Sequence, residues 1–341
     1  MRLPACTLLL ALLTQPCWAA VLDFKPLALP IQAKDQLLIK GFDGDVKLNV
    51  GKANQLIVKV RQETNDKAAA IVRQTLDEWN FSLQRGTTGI EIVVQGPQAR
   101  EVWRQVLVSG GAPKFHLDIT APAIPVEMAW RSGKVNVDNW NASLRMTLQE
   151  GAVAVNGGTG DAKVVGQDVE IRIKNRIGRV VAESYNGKIH LDNIKGNIDI
   201  ENFTGDTIVS QSEGNVDFRT FKSPLNLVGG KGRLDFSTVR GPIKLANFSG
   251  DLKGMSDEAP ITAKISNASE VRITTQSGPV ALDLPNSSAS VTAASVEGGI
   301  SGPSHMKADQ LAGQRVMRGR LRGSVEGSVV VRTQSGPIRI R

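Results

Sequence analysis

Three aspartates recur at a spacing of eighteen residues, a pattern that could carry acid–base chemistry. They are Asp199, Asp217 and Asp235. Glycoside hydrolysis uses two carboxyl groups held about 5 to 10 Å apart, and stacked strands could bring these side chains within that range. Lys244 and Lys253 lie nearby, and the alternation of the sequence turns the aspartates outward. We therefore favour a solvated charged face, with a polysaccharide-degrading activity as the alternative.

A second charged set lies near the C-terminus, where arginines alternate along two short segments. Its members are Arg318, Arg320, Arg322, Arg339 and Arg341. Each segment could present its arginines from one strand face and bind anionic glycans, lipid head groups or an acidic partner. The competing interpretation, which we favour, is a solvated edge that discourages end-to-end stacking of solenoids. Nucleic-acid binding is disfavoured because no aromatic residues interleave with the arginines.

Metal and cofactor chemistry find little support. The run Gly157-Gly-Thr-Gly-Asp161 resembles calcium-binding nonapeptides, but its aspartate comes one place early and the motif does not recur. Two cysteines and three histidines are too few and too scattered for a typical zinc site. There is no glycine-rich phosphate motif followed by a lysine. We expect no catalytic, metal-binding or cofactor-binding residues.

The first nineteen residues have the pattern of a secretory signal peptide. Arg2 precedes a short apolar run, and Cys17-Trp18-Ala19 offers a cleavage site. Cleavage removes both cysteines, and no later segment is long and apolar enough to span a bilayer. An uncleaved anchor is the alternative. We expect an exported protein, periplasmic or on the cell surface.

Composition indicates which elements position these groups. The chain has 34 glycines but only 15 aromatic residues (9 Phe, 5 Trp and 1 Tyr), which favours short strands and tight turns over thick helices. From His305 onward there are eight Lys or Arg against two acids, so +6 of the total net charge of +8 belongs to the C-terminal tail.

Glycine recurs every nine residues from Gly133 onward. Eleven of seventeen positions in this register are glycine, where about 7% is the background. The third and fifth residues of each unit are usually apolar, which is the alternation of a strand with one buried face. Asn at the seventh position could form a turn ladder: Asn139, Asn175, Asn193, Asn202 and Asn247.

A period of eighteen lies over the period of nine, so two units make one coil. One alternate set of eighth positions is apolar (Tyr185, Phe203, Phe221 and Val239), and we expect the tyrosine and phenylalanine side chains to be internal. An antiparallel sandwich is disfavoured because hairpin turns vary in length. We predict an all-β fold, a right-handed β-helix or closely related β-solenoid, over residues 131–341.

Both ends depart from the repeat. Residues 20–130 contain strand patterns and a predicted helix that begins at Asn65 or Asp66 and ends near Asn80, and this helix and the tryptophans would cap the first coil. Residues 301–322 break the pattern and are predicted to be an inserted, exposed Gly/Arg-rich loop. The repeat resumes at Val331-Arg-Thr-Gln-Ser-Gly-Pro-Ile-Arg-Ile340, which echoes Ile273–Leu282.

A family resemblance is carried by three stretches of sequence. They are Phe115-His-Leu-Asp-Ile-Thr-Ala-Pro122, Arg131-Ser-Gly-Lys-Val-Asn-Val137 and the closing Thr333-Gln-Ser-Gly-Pro-Ile-Arg-Ile340. Together with the Ser-Gly and Asn-Gly strand units, they resemble the DUF4097 family of exported bacterial adhesin-like β-solenoid proteins. The resemblance implies the fold and no catalytic residues.

We therefore expect a non-enzymatic, exported scaffold or adhesin-like binding protein of the bacterial cell envelope. Its partner would be an envelope component: an anionic glycan, lipid head groups or a membrane protein. The alternatives are a carbohydrate-active enzyme of the β-helix type and an envelope-stress accessory protein.

Overall fold

The computed structural model describes residues 20–41, 43–52, 54–64, 78–96, 106–107, 113–321 and 325–341. The fold is built from β-strands, as the sequence predicts. The N-terminal strands are β1 (Ala20–Asp23), β2 (Leu27–Pro30), β3 (Leu37–Lys40), β4 (Val46–Val50), β5 (Gln55–Thr64), β6 (Asn80–Arg85), β7 (Ile90–Gln95) and β8 (Lys114–Ala121).

The regular part follows without a break. Its strands are β9 (Val126–Asp138), β10 (Leu144–Asn156), β11 (Ala162–Lys174), β12 (Val180–Ser184), β13 (Ile189–Asp192), β14 (Ile198–Asn202), β15 (Thr207–Ser210), β16 (Glu213–Thr220), β17 (Leu225–Val228), β18 (Lys231–Thr238), β19 (Ile243–Ser256), β20 (Ile261–Ile265), β21 (Glu270–Thr275) and β22 (Val280–Asp283). The C-terminal strands are β23 (Ser287–Ser295), β24 (Ile300–Ser301), β25 (Ala308–Leu311), β26 (Gln314–Arg320), β27 (Val325–Thr333) and β28 (Ile338–Ile340).

Parallel pairing at an offset of eighteen residues confirms the β-solenoid. Leu144 on β10 is in register with Val126 on β9 and with Ala162 on β11. From β12 onward the strands alternate between two stacks, which we name the first stack (β12, β14, β16, β18 and β21) and the second stack (β13, β15, β17, β20 and β22). Strand β19 contributes to both.

Period-two alternation places the core between the two stacks. Strand β12 alternates buried and partly exposed residues, and so does its second-stack neighbour β13. The interior is aliphatic, with fully buried positions such as Val180, Ala182, Leu191 and Ile273. Each coil alone buries little apolar surface, so stability comes from stacking neighbouring coils.

The two corners of each coil use different backbone chemistry. At the corner that leads from the second stack to the first, the residue directly after the second-stack segment has a positive φ in seven coils: Asn139, Gly157, Asn175, Asn193, Gln211, Gly229 and Asn247. This set confirms the predicted turn role of four of the five asparagines. Glycines further along the same corner, such as Gly178 and Gly196, also have positive φ. The Asn193 Nδ2 donates to the Asn175 Oδ1 at 2.8 Å, which forms one rung of an amide ladder.

Asn202 belongs to the other corner, which leads from the first stack to the second. Its side chain is buried, and its Nδ2 donates to the Gly205 carbonyl at 2.9 Å and to the Thr207 Oγ1 at 3.0 Å. Asn202 occupies the same position of the nine-residue unit as the other asparagines. Spacing alone therefore could not show that it lies at a different corner of the coil.

One arginine lies wholly inside the solenoid. Arg176 is buried and donates hydrogen bonds to four backbone carbonyls at the corners of neighbouring coils: Trp140 at 2.5 Å, Ala142 at 2.6 Å, Gly157 at 3.2 Å and Gly160 at 2.9 Å. Burial lowers the pKa of its guanidinium, although Asp161 counteracts this effect. Arg176 joins three coils by satisfying carbonyls that have left water.

The N-terminal strands start the stack and then turn antiparallel. Strands β3 and β4 pair with β9 on one side and with β7 and β8 on the other. Antiparallel β5 pairs with β8, and β1 and β2 close the edge. Phe24, Trp79, Phe81 and Phe115 pack edge to face over this end. The signal peptide, Trp103 and nearly all of the predicted helix lie outside the described residues.

A partly buried ion pair between Asp35 and Arg85 connects the N-terminal strands. Asp35 is 4% exposed and accepts hydrogen bonds from the Gln32 backbone at 2.7 Å and from Arg85 at 2.9 Å. Burial raises the pKa of Asp35, but the bonds from Gln32 and Arg85 outweigh burial and hold the pKa below its ordinary value.

Acidic pH is expected to weaken the ion pair between Asp35 and Arg85. Because the folded pKa lies below the unfolded one, the contribution of Asp35 is complete above about pH 4 and is lost as the pH falls through the folded pKa. Thermal midpoints of wild type and Asp35→Asn should therefore differ more at about pH 7 than at about pH 3. An equal difference at both values would contradict this role.

The segment predicted as an inserted loop at 301–322 instead contains a hairpin. Strands β25 and β26 pair antiparallel, and β26 pairs antiparallel with β23 at the end of the first stack. Met306, Met317 and Leu321 are buried beneath it. The segment therefore contains strands rather than a loop throughout, while most of its side chains are exposed, as predicted. Its few buried apolar side chains cover the last coil, which would otherwise face water.

Candidate functional site

Three aromatic side chains form a ladder along one corner of the solenoid. Tyr185, Phe203 and Phe221 each follow directly after a first-stack strand, namely β12, β14 and β16. The eighteen-residue coil places one of them on each successive turn. We name these three residues the aromatic ladder.

Polar side chains at the strand ends shape this corner. The Ser184 Oγ accepts from the Gly187 backbone at 2.9 Å, and the Thr220 Oγ1 accepts from the Ser223 backbone at 2.7 Å. Such a contact to the residue three positions on closes a tight turn. The residue that follows the polar one is thereby turned outward, away from the core.

Ring geometry in the ladder is that of a parallel stack. The centroids of Tyr185 and Phe203 are 4.6 Å apart with planes 8° from parallel, and those of Phe203 and Phe221 are 5.1 Å apart at 12°. These distances match the roughly 4.8 Å between neighbouring strands. Tyr185 is 51% and Phe203 37% exposed. The Phe203 faces are therefore covered by its neighbours, and its edge meets solvent.

A groove of about 540 Å³ runs beside the ladder. Its other wall consists of outward-facing first-stack side chains, including Glu183, Glu201 and Arg219. The Glu183 carboxylate contacts the Lys163 ammonium at 3.1 Å. Lys222 lies 5.7 Å from the Phe221 ring centroid, where its charge is attracted to the ring. The groove thus combines apolar ring edges with charged groups that can donate and accept hydrogen bonds.

The expectation that this aromatic set is internal is wrong. The other eighth-position set, mixed in composition, is the one that points inward: Trp140, Arg176, Ile194 and Phe248 are buried. Each of these follows a residue of positive φ, which reverses the direction of the next side chain. The members of the aromatic ladder instead follow Ser184, Asn202 and Thr220, none of which has a positive φ.

The three aspartates are brought together, as their spacing predicts. Asp199, Asp217 and Asp235 are register partners on β14, β16 and β18. Each carboxylate is paired with an arginine: Arg179 at 2.7 Å, Arg219 at 3.1 Å and Arg233 at 2.9 Å, in that order. The bond to Asp199 raises the pKa of Arg179, and the bond to Asp235 raises that of Arg233. The column is a neutralised charged face.

The candidate anion-binding arginines fall on two different stacks. Arg318 and Arg320 are exposed on β26, which extends the first stack beyond β23. Arg339 is exposed on β28 in the second stack, and Arg341 follows it at the chain end. Arg322 lies outside the described residues. The structure therefore does not merge the two arginine segments into one strand face.

The described ranges show neither a metal cluster nor a membrane-spanning helix. Within them, no three His, Cys, Asp or Glu side chains converge as metal ligands would. Over the same ranges, no helix has the length and apolar character needed to cross a bilayer. Gly157 and Gly158 of the calcium-like run have positive φ and form a corner.

Family membership follows from comparison with known proteins. The family model described as Toastrack DUF4097 matches residues 27–341. The chain belongs to this family. The match agrees with the resemblance seen in the sequence, and it spans both ends of the solenoid as well as the aromatic ladder.

Two solved structures are similar to this Toastrack chain at low identity. One is described as a "putative adhesin" from Parabacteroides distasonis, with 11% identity and a TM-score of 0.36; the match covers 77% of this chain and 97% of that one. The other is a "putative cell adhesion protein" from Clostridium sporogenes, with 10% identity and a TM-score of 0.18; the match covers 93% and 98%. No protein with a curated description matches the chain.

Proposed function

We propose that this protein is a non-enzymatic, adhesin-like binding protein of the bacterial cell envelope and that the aromatic ladder is its binding surface. The observation that carries the proposal is the exposure of stacked aromatic rings along a groove. Exposed apolar side chains in a continuous patch are typical of interaction sites. Export by the predicted signal peptide would place this surface outside the cytoplasm.

The fold itself does not require aromatic residues at these positions. Other coils carry polar side chains at the equivalent corner: Arg131, Gln149, Gln167, Asp257, Gln276 and Gln334. These coils form the same stacked strands. Because polar residues suffice there, a coil can form without an aromatic side chain at this corner, which leaves the aromatic ladder available for binding.

The groove chemistry favours a glycan as the ligand. Sugars present apolar C–H groups beside many hydroxyl groups. The ring edges of the aromatic ladder can meet the C–H groups, while Glu201 and Arg219 offer an acceptor and a donor to the hydroxyls. The groove follows successive coils, so it suits an extended polymer that lies along the solenoid.

Absence of catalysis is part of the proposal. A carboxylate that acts as an acid or a nucleophile must be available to the substrate, whereas Asp217 is held by Arg219. We expect Asp217→Asn to leave the products of incubation with acidic polysaccharides unchanged. Turnover by wild type that disappears in Asp217→Asn would contradict the non-enzymatic proposal and support the polysaccharide-degrading alternative.

Substitution of Phe203 tests the binding surface. Retention of Phe203→Ser on immobilised envelope glycans should fall at least about tenfold, because central aromatic contacts commonly contribute 2 kcal/mol or more. Ile208→Ser is a matched control, since Ile208 is also 37% exposed but lies on the second stack. Equal losses for both variants would contradict the role of the aromatic ladder.

Neutralisation of the C-terminal arginines tests whether they, rather than the aromatic ladder, bind the ligand. Arg318→Gln combined with Arg320→Gln should leave glycan retention unchanged if the aromatic ladder binds the ligand. A salt-sensitive loss in this variant alone would instead assign binding to the C-terminal arginines.

A further inference from the structure

The last coils are stacked in an order that differs from the order along the chain. Strand β27 lies between β21 and β23, so that Val331 is in register with Ile273 on one side and with Ala293 on the other. Strand β28 lies between β22 and β24 in the same way, with Ile338 opposite Val280 and Ile300. The C-terminal residues 325–341 therefore fill a coil between two coils that precede them in sequence.

This inserted coil joins the end of the solenoid to the rest. In the described part of the chain, no strand pairing links β21 directly with β23, or β22 directly with β24. Val329, Val331, Ile338 and Ile340 are each at most 1% exposed. Before residues 325–341 are in place, the edges of β21 and β23 face each other across a gap, and so do those of β22 and β24. Each gap is two strand spacings wide, roughly 9.6 Å.

The contacts that hold residues 325–341 in position are of the same kind as those between other coils. Thr275-Gln-Ser-Gly-Pro279 and Thr333-Gln-Ser-Gly-Pro337 are identical in sequence, and Thr275 and Thr333 hydrogen-bond each other at 3.1 Å. Two long side-chain contacts add to this bond, from the Ser290 Oγ to the Gly327 carbonyl and from the Thr333 Oγ1 to the Gln276 carbonyl, each at 3.4 Å. The main contacts of this coil are backbone pairing and aliphatic packing. A second copy of this chain offers the same strands in the same register.

Folding order makes the gap accessible. Coils from β9 to β22 pair with neighbours eighteen or nineteen residues away, whereas Thr275 and Thr333 are 58 residues apart. Longer loops close more slowly. The gap therefore remains open after the local coils have formed, and a segment from a second copy can compete for it at high protein concentration.

We propose that residues 325–341 are an exchangeable coil, which a second copy of this chain supplies reciprocally to form a swapped dimer. Exchange of a terminal element keeps every native contact, so it is a low-cost route to dimers. The partner surface is the pair of strand edges presented by β21 and β23 and by β22 and β24. Self-association of this kind would multiply the binding surfaces of one particle.

Paired cysteines distinguish exchange from simple association. Ala281 and Arg339 are register partners on β22 and β28 and are not buried. In a Cys6→Ser/Cys17→Ser background, one full-length chain carries Ala281→Cys and a second carries Arg339→Cys. The two chains are unfolded in denaturant, mixed, refolded at low or high concentration, and analysed for mixed disulfides by non-reducing electrophoresis and mass spectrometry.

Exchange predicts a mixed disulfide whose yield rises with protein concentration and exceeds the control pair at least tenfold. The control is Arg172→Cys mixed with Arg339→Cys, because Arg172 lies on β11, in register with the second-stack strand β13, and is far from β28 in the order of coils. A yield equal to the control would overturn the proposal. Both cysteines in one chain should give an intramolecular disulfide in the monomer, and failure to form it would overturn the inserted position of β28.

Discussion

Gly214→Ala is expected to lower the free energy of unfolding by roughly 3 to 5 kcal/mol, enough to prevent accumulation of folded protein. Gly214 has a φ of 137°, and a Cβ built on it would overlap the carbonyl oxygen of Gly196 in the preceding coil. An L-residue with a side chain rarely adopts this φ, so backbone strain adds to the overlap. Gly232 stacks on Gly214 in the same way, and the displacement would pass to the next coil.

Gly299→Ala provides the matched control. Gly299 lies directly before β24, and nothing lies within 4 Å of a Cβ built on it. Its substitution should change stability by about 0.5 kcal/mol or less. Urea unfolding of both variants, followed by circular dichroism, measures the difference. Similar midpoints for Gly214→Ala and Gly299→Ala would contradict the packing of the glycine column.

Arg176→Met is expected to lower the free energy of unfolding by roughly 3 kcal/mol or more, because it removes the donor of four carbonyls, two of them buried and two part-buried. Methionine fills part of the volume of arginine, so the loss would report hydrogen bonds rather than an empty cavity. Arg176→Lys should recover little of the loss, since one ammonium group cannot reproduce the fork of a guanidinium.

Arg172→Met is the control for charge alone. Arg172 lies four residues earlier, with a side chain 58% exposed and paired to Glu170. An exposed ion pair typically contributes no more than about 1 kcal/mol. The thermal unfolding midpoints of Arg176→Met and Arg172→Met should therefore differ clearly. If Arg176→Met is as stable as Arg172→Met, the buried guanidinium does not join the coils.

Local periodicity made the architecture predictable. The register of Gly133, Gly151 and Gly187 fixed the coil length, and alternation such as Ile189 and Leu191 fixed the buried face. Both properties depend on residues close in sequence, which is why the predicted parallel stacking at eighteen residues was confirmed. The family resemblance depended on the same repeat.

Three features could not be read from the same periodicity. All coils share one pattern, so nothing in it shows that β27 lies between β21 and β23. The inward turn of Arg176 depends on the positive φ of Asn175, and the outward turn of Tyr185 on the Ser184 corner. The sequence did contain a usable signal. Asparagine directly precedes each inward-pointing side chain. Each member of the aromatic ladder directly follows a serine, asparagine or threonine that has a glycine or serine three residues further on.

The aromatic ladder can be observed directly because Tyr185 is the only tyrosine in the sequence. Incorporation of 3-fluorotyrosine gives one ¹⁹F resonance that reports on this groove alone. Addition of an envelope glycan retained by the wild-type protein should shift or broaden this resonance in a saturable manner, with the same midpoint as retention, and Phe203→Ser should abolish the change. A retained glycan that leaves the Tyr185 resonance unchanged at saturation would contradict binding at the aromatic ladder.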